Sequence, residues 1–141
     1  MTIRALDKTD IQFLISARES FPDAWDEKML VSSFNAGNFF GFIAEDTAPI
    51  GFITYSVNID TADMQDLFVA EKCRKKGVGY ALVVAFIEGT KAVGVKKLFL
   101  EVRESNLPAI NLYKKAGFTL LSVRKKYYSD GENALVLVKE L

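Results

Sequence analysis

Arg74-Lys75-Lys76-Gly77-Val78-Gly79 stands between an apolar run that reads as a strand, Met64–Val69, and a helix expected over Val78–Lys91. A strand that turns this tightly into a helix aims several backbone N–H groups at one point, and the helix N-terminus adds positive potential. Glycine at two positions lets a ligand approach the main chain closely. Lys72, Arg74, Lys75 and Lys76 surround that point with cationic side chains. The physical reading is a pyrophosphate cradle; the alternative is a basic turn that uses glycine only for its geometry. A P-loop requires Lys and then Ser or Thr after its last glycine, where this chain has Tyr80. A dinucleotide fingerprint requires a third glycine, where it has Leu82.

Working outward, Ile3–Leu6 reads as a strand. Thr9-Asp10-Ile11-Gln12 fits a capping box, and Ile11, Leu14, Ile15 and Arg18 follow at helical spacing. Phe21-Pro22-Asp23-Ala24-Trp25 breaks that helix, and Asp26 can cap a second over Glu27–Phe34. Strands are expected at Phe39–Glu45 and Ile50–Ile59, joined by Asp46-Thr47-Ala48-Pro49. The helix from Val78 carries Val78, Leu82, Ala85, Phe86 and Val93 on one apolar face. Lys97–Val102 is a strand, and Pro108–Ala116 is a helix that stops at Gly117. Phe118–Tyr127 and Asn133–Glu140 form a last hairpin. The order β-α-α-β-β-β-α-β-α-β-β predicts an α/β fold with a mostly antiparallel sheet, in which the strands flanking the long helix are parallel neighbours.

The 141 residues fit one domain spanning 1–141, and an apolar half suffices for a real core. The net charge is zero, which argues against nucleic acid as a partner. No apolar run is long enough to span a bilayer and no signal peptide is evident, so no membrane partner and a cytoplasmic location are expected. The single cysteine, Cys73, excludes an internal disulfide. The absence of histidine removes Ser-His and Cys-His machinery and the commonest metal ligand, so no metal is expected. Acid–base chemistry is left to carboxylate, tyrosine, lysine, cysteine or water.

A second segment completes the pattern. Leu98-Phe99-Leu100-Glu101-Val102 is an apolar strand with one carboxylate, and Asn106-Leu107-Pro108-Ala109-Ile110-Asn111-Leu112-Tyr113-Lys114-Lys115-Ala116-Gly117-Phe118 follows. Asn106 can cap the helix or donate its amide to a ligand carbonyl. Tyr113 is expected on a different helical face from Ile110 and Leu112. Together, R-x-x-G-x-G and the downstream N-x-x-A-x-x-L-Y-x-x-x-G-F resemble the two signatures of the GNAT superfamily, the acetyl-CoA-dependent N-acetyltransferases, and the order of elements is similar to theirs. The resemblance covers nearly the whole chain.

That resemblance implies acetyl-CoA held by Arg74, Lys75, Lys76, Gly77, Val78, Gly79 and Tyr80. It implies that the strand ending at Leu67, Phe68 and Val69 splays from its neighbour and pairs by its main chain with pantetheine, and that Asn106 adds a contact. Tyr113 would face the thioester sulfur and donate to the departing thiolate. Glu101 would lie beside the cleft and deprotonate the attacking amine, with Asp66 a competing base. Glu101-Val102-Arg103-x-Ser105-Asn106 and Arg124-x-x-Tyr127-Tyr128 are similar to segments of the ribosomal-protein-alanine N-acetyltransferases, the RimI-like branch, as is Phe21-Pro22-Asp23-Ala24-Trp25, here with two extra residues. Trp25, Asp66, Tyr127 and Tyr128 are the expected acceptor contacts. The acceptor is then an amine, foremost a protein N-terminus; a small amine, or a non-catalytic acyl-CoA-binding module, are the alternatives. The oligomeric expectation is monomer or homodimer.

Overall fold

The computed structural model describes residues 1–17 and 27–141. Seven strands, β1 (Thr2–Ala5), β2 (Phe40–Glu45), β3 (Pro49–Asn58), β4 (Thr61–Val69), β5 (Lys97–Arg103), β6 (Thr119–Arg124) and β7 (Ala134–Glu140), form one sheet. Its spatial order is β1-β2-β3-β4-β5-β7-β6. The helices described are α1 (Ile11–Ala17), α2 (Glu27–Asn35), α3 (Val78–Ala92) and α4 (Leu107–Lys115). The order of elements is the expected one, and β4 and β5 are the parallel pair, every other neighbour being antiparallel.

The two faces of the sheet bury different clusters. On one, Leu82, Val83 and Phe86 of α3 and Ile110 and Tyr113 of α4 pack on Ile53, Tyr55, Ala62, Leu98, Leu100 and Leu137. On the other, Leu14 and Ala17 of α1 and Leu30 of α2 cover Ile43 and Phe52, with Phe52 stacked on Phe68 at 5.5 Å between ring centroids. Alternation along β5, where Leu98, Leu100 and Val102 are buried, leaves Phe99 and Glu101 on the α1/α2 face.

The β4–β5 pair is short. It holds from Thr61↔Lys97 to Asp63↔Phe99 and then ends, while β5 continues against β7 to Arg103 and β4 continues against β3 to Val69. The two strands therefore part beyond Asp63. A bulge lies at that point: Met64 pairs with Tyr55 and Asp66 with Thr54, leaving Gln65 extra. Such an insertion bends a strand and increases its twist. It also changes what faces where. Residues three apart on a regular strand lie on opposite faces, but the bulge puts both Asp63, opposite Ser56, and Asp66, opposite Thr54, on the α1/α2 face.

Local expectations are corrected at several points. The capping box is built by Asp7 and Asp10 rather than by Thr9: Asp7 accepts from Thr9 N–H and Asp10 accepts from Asp7 N–H. Arg4 clamps Asp10 with both Nη atoms, at 2.9 and 2.8 Å, and Glu45 through Nε at 2.9 Å. Val93 is not on the buried face of α3 but beyond its end and 70% exposed. Tyr113 and Ile110, three residues apart, share the buried face of α4 rather than dividing between faces. The last hairpin is shorter than expected, with β6 ending at Arg124. The expected cap Asp26 and the Phe21–Trp25 segment lie outside the described residues. Among the described residues no helix is long and apolar enough to cross a membrane.

Candidate active site

The β4–β5 register ends at Asp63↔Phe99, so Leu67, Phe68 and Val69 lie on the edge of β4 that faces the split. At the end of that edge the chain makes a single 3-10 turn, Glu71–Cys73, and enters α3. Lys75 at φ 62° and Gly77 at φ 83° are both left-handed. Gly77 is the N-cap of α3 without a side-chain cap. A Cβ there would meet nothing within 4 Å, so its backbone conformation, and not lack of room, calls for glycine. The N–H groups of Lys75 to Tyr80 bond to no carbonyl among the described residues, leaving a row of free donors at a helix start.

The individual cradle residues divide. Lys75 and Lys76 are exposed. Arg74 folds back, its Nε donating to the Val69 carbonyl at 2.9 Å, and so ties the loop to the strand end. Val78 is buried and anchors α3. Gly79 lets α3 approach its surroundings closely: a Cβ would lie 3.3 Å from Leu112 and 3.8 Å from Val69, so packing, not ligand approach, explains its small size. Tyr80 lies under the Lys115 ammonium, 4.6 Å from the ring centroid. Asn106 caps α4 through Oδ1, which accepts from Ala109 N–H at 3.3 Å, and its amide N–H groups donate to no described residue.

Tyr113 enters the gap from the α4 side. The helix ends in a Schellman arrangement: Phe118 N–H donates to the Tyr113 carbonyl and Gly117 N–H to that of Lys114, with Gly117 at φ 98°. This seats the Phe118 ring against that of Tyr113, 6.1 Å between centroids. Tyr113 is 4% exposed, and its hydroxyl makes no hydrogen bond to a described residue. Burial, and then the neighbouring charges of Asp66 and Tyr128, raise its pKa well above the ordinary phenol value. Asp66 in turn is pushed up to about 6 by burial. Its backbone N–H donates to Thr54 Oγ1 at 3.2 Å, while its carboxylate has no hydrogen bond or ion pair among the described residues.

Glu101 lies across the gap on β5. Its Oε1 accepts from Arg124 Nη1 at 2.8 Å, and the Arg124 guanidinium lies 4.3 Å from the centre of the Tyr127 ring. Tyr127 meets Tyr128 edge-on at 5.1 Å. Arg103 sits 4.1 Å from the centre of the Tyr128 ring and bonds Asp130 and Glu132 at 2.7 and 2.8 Å; the Glu132 N–H and then Arg103 hold the Asp130 carboxyl below its ordinary range, and Ser105 and then Arg103 do the same for Glu132. The tyrosine pair is thus fixed beside the gap by two arginines. Trp25 lies outside the described residues.

Sequence reasoning missed Asp63 and Arg124. The pKa of Asp63, an exposed residue, is raised by partial desolvation and then by the charge of Glu101, and only the register of the bulge brings it to the same face as Asp66. Arg124 was read only as part of a motif. Among the described residues no group of three His, Cys, Asp or Glu is arranged to hold a metal ion.

A mixed sheet that splits between two parallel strands, with free helix-start donors at one end of the split and a buried phenol and carboxylates at its centre, defines an acetyltransferase. The chain belongs to the Acetyltransferase (GNAT) family, whose sequence pattern matches residues 10–118. An N-alpha-acetyltransferase of Sulfurisphaera tokodaii is 32% identical over 154 residues, 99% of this chain and 92% of that protein. The [ribosomal protein bS18]-alanine N-acetyltransferase of Escherichia coli K12 is 32% identical over 143 residues, 96% and 95% of the two chains. The crystal structure of the ribosomal-protein-S18-alanine N-acetyltransferase from Escherichia coli superposes with a TM-score of 0.89 at 29% identity, covering 99% and 92%.

Proposed function

We propose that this chain transfers the acetyl group of acetyl-CoA to the α-amine of a protein N-terminus, within a ternary complex, in the β4–β5 gap. The observation that carries the reading is the gap itself, with the free donors of Lys75 to Tyr80 at one end and Tyr113, Asp66 and Glu101 around its middle. Acetyl-CoA supplies the acetyl thioester. The α3 N-terminus receives the pyrophosphate, assisted by Lys75 and Lys76, and the open edge of Leu67, Phe68 and Val69 pairs with the pantetheine amides. Glu101 takes the proton of the attacking ammonium, directly or through water, and Tyr113 returns a proton to the leaving sulfur. A phenol held protonated by burial suits that second task.

Asp66 supports a second reading of the base. A carboxyl at about 6 is closer to the operating pH than an ordinary carboxylate, and it adjoins Tyr113. The relatives' names favour an N-terminal acceptor over a free small amine, and Tyr127 and Tyr128 would close over it. The proposed setting is a single cytoplasmic domain.

The test is thiol release from acetyl-CoA with peptides beginning Ala, Ser, Gly or Met, beside polyamines and amino acids, followed by mass analysis of the product. Acetyl on the peptide α-amine is the expected result. Turnover of small amines alone moves the acceptor, and saturable acetyl-CoA binding without turnover on any acceptor contradicts the catalytic reading.

A further inference from the structure

Three carboxylates meet on one face of the β4–β5 gap, and among the described residues only one of them is compensated. Glu101 is bonded to Arg124. Asp63 and Asp66 have no hydrogen bond or ion pair through their carboxylates to any described residue. Asp63 is exposed and stands on the last rung before the strands part, opposite Phe99; Glu101 follows two residues later on the same face of β5. Because Gln65 bulges, Asp63 and Asp66 are separated by one same-face step along β4, roughly 7 Å. The gap they border also receives the Tyr113 hydroxyl, on a side chain 4% exposed and without a hydrogen bond to a described residue. Carboxylates without a cationic partner among the described residues, bordering one gap, call for a ligand that is itself cationic.

One cation is already assigned, since the reacting ammonium belongs beside Tyr113, Asp66 and Glu101. Asp63 remains, one step away toward solvent. We propose that Asp63 selects acceptors with a second positive charge next to the reacting ammonium, so that an N-terminal peptide whose second residue is Lys or Arg is preferred over one with a neutral or acidic second residue. This rests on the N-terminal reading above. A lysine side chain at the second position spans the separation between Asp66 and Asp63, and its ammonium stays at the rim, where Asp63 is exposed. Arg124 lies on the Glu101 side and does not neutralise Asp63. Selection by charge at a partly solvated rim also predicts a dependence on ionic strength.

The experiment compares kcat/KM for three peptides that differ only in the second residue, Ala-Lys, Ala-Gln and Ala-Glu, using the wild type and Asp63→Asn, at low salt and at about 0.5 M salt. Thermal melts establish that the variant is folded. The wild type should favour Lys over Gln by about fivefold at low salt, the order expected for one partly exposed ion pair, with Glu the poorest. In Asp63→Asn, and in the wild type at high salt, that ratio should fall to within about twofold. An equal Lys-to-Gln ratio in the two proteins overturns the role of Asp63. Turnover of no peptide overturns the N-terminal reading, and turnover of neither peptide nor 1,4-diaminobutane overturns this inference with it. Acetylation of 1,4-diaminobutane that depends on Asp63, with the peptides silent, supports the charge selectivity and overturns the peptide as its source.

Discussion

Asp66 ties the stability of the fold to pH. Its carboxyl is raised from 3.8 in the open chain to about 6 in the fold. The folded state therefore keeps a proton that the unfolded state has released, and stability falls as pH rises from about 4 to about 6. Above that window the penalty is roughly 2 kcal/mol, since each pKa unit is worth about 1.4 kcal/mol and the site is partly solvated. Asp66→Asn should raise the unfolding free energy by that amount at pH 8 and by almost nothing at pH 3.5, as measured by denaturant titration at the two pH values. If Glu101 is the base, Glu101→Gln should flatten the acidic limb of the kcat/KM profile while Asp66→Asn leaves it. The reverse pattern assigns the base to Asp66. Both carboxylates were visible in the sequence as charges interrupting apolar strands, but their difference was not. It depends on the partner each finds, Arg124 for Glu101 and, among the described residues, none for Asp66.

At the scale of elements, the loops carry the clearest consequences. Gly77 is left-handed with open space around its Cα, so Gly77→Val strains the turn that aims the free N–H groups without filling the core. Acetyl-CoA affinity should fall at least tenfold by calorimetry while the melting transition of the sheet persists. The β3–β4 hairpin has the opposite defect. Asn58 pairs with Thr61 across a two-residue loop, and its first residue, Ile59, has φ 60° and is 92% exposed. A β-branched side chain at positive φ is strained and here buries nothing. Ile59→Gly should stabilise the chain by about 1 kcal/mol in denaturant titration. The positions of these elements were readable from apolar periodicity and from glycine and proline, with ends shifted by a few residues. The Gln65 bulge was not readable, because an extra residue in a strand leaves the run of residue types unchanged and is fixed only by pairing across the sheet. The bulge is what brings Asp66 onto the face that Asp63 and Glu101 share.

Across the whole molecule, the sheet is pinned at one edge by an ion cluster and opened at its centre by the bulge. Arg4 on β1 holds Asp10, 4% exposed, and Glu45 on β2. The Arg4 bonds keep the Asp10 carboxyl below its ordinary value, so this contribution is present above pH 4 and is lost as pH falls through the folded pKa. Arg4→Ala strands a buried carboxylate and should cost about 3 kcal/mol at pH 7, with a smaller loss near pH 3, read from melting at both pH values. That cluster lies away from the gap, so acetyl-CoA affinity at temperatures well below melting should be unaffected. The gap itself was legible as an order of elements and two motifs, whereas its lining depended on tertiary contacts: Arg124 and the tyrosine pair come from the far end of the chain and reach β5 only through the β5-β7-β6 order. On the proposed mechanism, the phenol in the gap acts on the leaving sulfur and does not hold the cofactor. Calorimetric acetyl-CoA binding set beside thiol release, for Tyr113→Phe and the wild type, tests it most directly. Affinity should stay within about twofold while turnover falls about a hundredfold. Affinity that collapses in step with turnover, or turnover that is unchanged, would contradict the account.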